Sequence, residues 1–166
     1  MVKDLIISEK EAINEVHFQS DKPVSAIVIN VNDHAYCKVT FDQKTLDSLV
    51  DNLNCIEDPL TRGSIWRQLW QSVMSKKMSS LQYFELVVKQ IPNETIQQII
   101  TVVLGTLSAL VAYYIPTRYV VEKRKVMYDT LLKLLSNKDL NNETKIPIVD
   151  NLFGFLSDVE HIALAQ

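Results

Sequence analysis

The residue types that activate water, hold a metal or attack a carbonyl are sparse in this sequence and poorly spaced for it. Its three histidines, His17, His34 and His161, stand apart. None has a second histidine three to five residues away, so the helical HExxH arrangement, which sets two imidazoles on one face to grip zinc, is absent. Cys37 and Cys55 form no CxxC or Cys/His pair. A disulfide between them is one reading; two free thiols in a reducing compartment is the expectation. Asp33, Asp42, Asp47 and Asp51 resemble an acidic cluster, yet each has a local task as turn, cap or exposed helix residue. Glu160-His161 reads as a solvated helix face. No GxSxG, GxxxxGK[ST] or GxGxxG run occurs, and 3 glycines leave almost no room for a phosphate-cradling loop. No catalytic residue and no metal ligand is therefore assigned.

What remains is Arg62 with Trp66 and Trp70. The two indoles lie one helical turn apart on one face. They either form an aromatic platform facing a peptide or partner, or fill the joint between the first helices and the segment before them, which is the expected role. Arg62 either pairs with Asp58 across one turn or meets a peptide carboxylate from a groove.

These residues need elements to position them. The first 42 residues read as strand-rich. Leu5-Ile6-Ile7, then Ile13, Val16 and Phe18, then Ala26–Ile29 and Ala35–Phe41 are short β-branched or aromatic runs between polar turns. Tyr36, Lys38 and Thr40 alternate with Cys37, Val39 and Phe41 as in a half-buried strand. From residue 43 to 166 the period is helical. Asp42 caps a helix bearing Leu46, Leu49, Val50 and Leu53, and Asp58-Pro59 opens a second bearing Ile65, Trp66, Leu69, Trp70 and Val73. A third opens at Ser79 or Ser80. A fourth follows Pro92-Asn93-Glu94 and runs to Ile115, a fifth follows Pro116, and a sixth follows Asn142 with Pro147 in its first turn. Short links between amphipathic helices predict antiparallel hairpins stacked side by side, as in an α-α superhelix or solenoid. The fold class is thus α+β, predominantly α.

Thr95–Ile115 carries no charge, and Lys123, Arg124 and Lys125 follow it, which is the pattern of a membrane span. Gln97, Gln98, Thr101, Thr106 and Ser108 interrupt the run, and Gly105 favours close packing. The expectation is a central helix buried on all sides, with a membrane anchor as the competing reading.

Ile27-Val28-Ile29-Asn30-Val31-Asn32-Asp33-His34-Ala35-Tyr36-Cys37-Lys38-Val39-Thr40-Phe41-Asp42 resembles the segment that joins the β-sandwich to the helical C-terminal domain in aminopeptidase N family zinc metallopeptidases. Ile56-Glu57-Asp58-Pro59-Leu60-Thr61-Arg62, with Trp66 and Trp70, is similar to the helix that follows there, and Tyr83 and Asn93-Glu94-Thr95 fit as well. The resemblance is strong over roughly residues 26 to 95 and points to the branch with an endoplasmic-reticulum-aminopeptidase-like C-terminal domain. It implies that zinc and the catalytic groups belong to an upstream domain of a parent enzyme. This chain would then be a non-catalytic piece that needs no cofactor itself, docks on that catalytic domain, and helps wall and gate a peptide chamber. A stand-alone helical-repeat interaction module is the alternative.

Composition fits either reading. The chain has 166 residues, 47% of them hydrophobic and 22% charged, as a globular core requires. With 17 basic and 20 acidic residues the net charge is −3, so nucleic acid is not the expected partner. Met1-Val2-Lys3-Asp4 lacks the apolar core of a secretory signal, which leads to a cytoplasmic expectation. An uncapped end of a helical stack would favour self-association.

Overall fold

The computed structural model describes residues 20–156. The runs at Leu5–Ile7, Ile13, Val16 and Phe18, together with His17, Glu160 and His161, lie outside those residues. Six α-helices follow in order: α1 (Gln43–Asn52), α2 (Pro59–Met74), α3 (Ser80–Gln90), α4 (Gln97–Ala109), α5 (Thr117–Leu135) and α6 (Asn142–Gly154).

Their starts follow from side chains that take up orphan N–H groups. Asp42, Asp58 and Asn141 accept from the backbone N–H of Thr45, Thr61 and Thr144, at 2.8 Å each. Ser79 forms a capping box with Gln82 at the head of α3. Pro59 occupies the first position of α2, where its missing N–H costs nothing. Pro147 departs from expectation: α6 already begins at Asn142, so the proline sits inside the helix rather than in its first turn. The carbonyl it leaves without an N–H partner belongs to Glu143, an exposed residue where solvent is at hand.

Helices two apart in sequence pack together: α1 with α3, α2 with α4, and α4 with α6, while α5 closes on α6 and on the turn Ile91–Asn93. The chain so forms two layers around one apolar core that runs from Val39 and Phe41 to Ile148 and Leu152.

The strand-rich reading of the first segment is not met among the described residues, which contain no strand. Val39 and Phe41 are buried and Lys38 and Thr40 exposed, so the alternation is real, but Cys37 is exposed too. The missing ladder has a local cause. Asn30 and Asn32 are left-handed, with φ of 57° and 66°. The Asn30 amide then takes both backbone groups of Ala35, donating to its C=O and accepting from its N–H at 2.8 Å each. Those are the groups a hairpin would have paired. The Ile27 N–H goes to Thr45 Oγ1 at 3.1 Å instead of to a neighbouring strand.

A second departure concerns which helix is central. α4 is not enclosed on all sides: Ile99, Ile100, Val103, Leu104 and Leu107 are buried, but Gln98, Thr101, Val102, Gly105 and Ser108 form an open stripe. A Cβ placed on Gly105 would meet nothing within 4 Å, so that glycine does not mediate close packing. Gln97–Tyr114 is long and apolar enough to cross a membrane, with mean hydropathy 1.4, but 39% of it is buried against the other helices. α2 is the more enclosed helix. It buries Ile65, Trp66, Leu69 and Val73 together with Thr61, Arg62, Ser64, Gln68 and Ser72.

Candidate functional site

Arg62 points inward. Its Nε and Nη2 donate to the two carboxylate oxygens of Glu94 at 3.1 and 3.0 Å. Its Nη1 donates to the carbonyls of Ile56 and Glu57 at 2.7 and 3.0 Å. Glu94 Oε1 also accepts from the N–H groups of Thr95 and Ile96. One planar guanidinium thereby ties the turn before α2 to the turn before α4, and every donor it uses is met in a site closed to water. The expected pairing with Asp58 is not the one formed. Asp58 is committed to Thr61, whose hydroxyl and N–H hold its carboxyl below the usual range, the charge of Arg62 adding a smaller effect. Asp42 is lowered in the same way, chiefly by the Thr45 N–H.

Trp66 is 1% exposed and Trp70 half-buried. They do not form a bare platform, because Tyr83 of α3 stands against both. Its ring lies edge-on to Trp66 at 6.1 Å and tilted against Trp70 at 5.6 Å. Its hydroxyl bonds Thr106 Oγ1 at 3.0 Å, which in turn donates to the Val103 carbonyl. Burial pushes the Tyr83 phenol well above its ordinary range. Trp70 meets a fourth ring, Tyr114, edge-on at 5.2 Å. Tyr114 is delivered by a π-helical turn, Leu110–Tyr114, that ends α4 and turns Tyr113 and Tyr114 outward. The aromatic column therefore runs from the core at Trp66 to the surface at Tyr114.

Of the three residues read from sequence, Trp70 alone reaches the surface. Tyr83, Glu94 and Tyr114 complete the site and were not read as parts of it. Glu94 left a trace, since an acid just ahead of a helix start is a cap signal. Tyr114 left none, because a π turn has no signature in the apolar period. Arg67 leaves the column and pairs with Asp33 at 2.5 Å, fixing the Val31–Asp33 turn on α2.

No catalytic constellation accompanies this column. Among the described residues no group of three or more His, Cys, Asp or Glu side chains could hold a metal ion. His34 is exposed in its turn, and Cys37 and Cys55 are free and exposed.

Comparison with known proteins gives one family. A family model described as ERAP1-like C-terminal domain matches residues 26–145, well over half of the chain. The matched stretch contains the Asn30–Ala35 loop, the Arg62–Glu94 clamp, the aromatic column and helices α1 to α5. No curated protein matches the sequence.

Proposed function

The chain belongs to the ERAP1-like C-terminal domain family, and we propose that it serves an aminopeptidase-like protein as a non-catalytic helical module. In this reading it docks on a zinc-bearing catalytic domain, helps wall the peptide chamber and gates access by moving as one body. The observation that carries the proposal is the span of the family match, which takes in both the segment ahead of α1 and the helical layers behind it. The two-layer stacking suits the wall of a bowl, because a solenoid-like stack offers one broad curved face. The half-buried run Ala26–Asn30, with Ile27 and Ile29 about two-fifths exposed, suits the side turned to the rest of such a protein. A cytoplasmic setting suits the two free cysteines.

The catalytic metal belongs, on this reading, to the partner domain, and this chain contributes shape. A tagged copy expressed with the HExxH-bearing aminopeptidase region of its source genome should retain that region through gel filtration. It should also change the relative rates on an aminoacyl arylamide and on a longer peptide. Separate elution with unchanged rates would overturn the reading in favour of a stand-alone interaction module.

A further inference from the structure

Two clefts of about 440 Å³ each flank the C-terminal end of α2. Tyr36, Lys38 and Met74 help line the first, and Lys76, Lys77 and Tyr114 the second. No Asp or Glu lines either cleft. None of the three lysine side chains has a hydrogen bond or ion pair among the described residues. Tyr36 is fully exposed and Met74 is 47% exposed, so an apolar surface adjoins the cations on both sides.

The backbone adds a second observation. Lys76 has φ 59° and follows the α2 C-cap, Ser75. The Lys77 N–H returns to Ser72 O and the Lys76 N–H to Val73 O, the bonds of a helix-ending turn that favours glycine at this position. A lysine there carries a steric cost that glycine would not. Strain of this kind collects where a side chain is needed for something other than stability.

We infer that this end of the molecule docks an extended, acidic segment of a partner protein. Carboxylates of the segment meet Lys38 in one cleft and Lys76 and Lys77 in the other. Its apolar side chains lie on Met74, Tyr36 and Tyr114 between them. The inference does not depend on an aminopeptidase parent. Nucleic acid fits less well: the chain is net negative at −3, and three lysines neutralise too few phosphates for stable binding.

Fluorescence anisotropy of the full chain with a labelled peptide alternating Glu and Leu tests this, beside a Gln/Leu peptide of equal length. The Glu peptide binds and weakens with added salt; the Gln peptide does not bind. The variant K38E/K76E/K77E abolishes binding, while K125E/K133E/K138E, on α5 and the turn after it, leaves it unchanged. Lys76→Gly separates binding from folding, since it should raise the melting temperature yet weaken binding about two- to fivefold, the worth of one exposed ion pair. Equal binding of the two peptides, or equal loss in both triple variants, overturns the proposal. So does tighter binding of a single-stranded oligonucleotide through the same three lysines.

Discussion

Arg62 shows how far the role of one residue depends on a partner distant in sequence. Asp58, one turn away, was the evident candidate. The partner is Glu94, 32 residues on, and the pair is closed from water with every guanidinium nitrogen engaged. Spacing along one helix cannot reveal a contact made between two turns. Arg62→Met should therefore strand a buried carboxylate and cost about 3–5 kcal/mol by urea unfolding, and the double variant R62M/E94Q should recover a large part of it. A cost no larger than that of Arg67→Met, whose ion pair with Asp33 is exposed, would remove the clamp from the account. Asp42 and Asp58 act in the other direction of legibility, as caps visible in the sequence. Their folded pKa values lie below the ordinary 3.8. Each then contributes stability that is fully present above the unfolded value and is lost as pH falls through the folded one. Acid unfolding should steepen below about pH 4, and Asp42→Asn with Asp58→Asn should flatten that limb of the profile.

At the scale of elements, helix starts were readable and burial was not. Ser79, Asp58 and Asp42 announce α3, α2 and α1 through the chemistry of their own side chains. Which helix lies deepest depends on neighbours. α4 looked central because it has no charge, yet it leaves Gln98, Thr101, Gly105 and Ser108 open. α2 carries polar residues into the interior, and several bond one another: Gln68 donates to Ser64, Ser72 to the Gln68 carbonyl, and Arg62 to Glu94, while Gln68 Oε1 and Trp66 Nε1 are buried without a partner. The segment before α1 misled for a related reason. Its β-branched alternation is a strand pattern, but the Asn30 amide had already claimed the backbone groups of Ala35. The open stripe on α4 makes a direct prediction. Gly105→Ala meets no neighbour and should stabilise the chain by about 0.8–1 kcal/mol, raising the thermal midpoint. A destabilising Gly105→Ala would mean that another surface packs on α4.

For the molecule as a whole, two layers of helices enclose one core, and its aromatic column rises from Trp66 to Tyr114 at the surface. The family match spans α1 to α5 of that architecture and belongs to a C-terminal domain of aminopeptidase-like proteins. The resemblance read from Ile27–Asp42 and Ile56–Trp70 reached the same family, and both stretches lie within the matched residues. Trp66 and Trp70 were legible as a pair; their coupling through Tyr83 to a π turn was not, because it joins three helices. On the function proposed above, this chain supplies shape rather than chemistry. The most direct test is the zinc content and aminoacyl-arylamide turnover of the purified full chain, measured together. Zinc should stay far below one ion per chain, with no turnover beyond buffer. Stoichiometric zinc with turnover that survives removal of contaminating peptidases would contradict it.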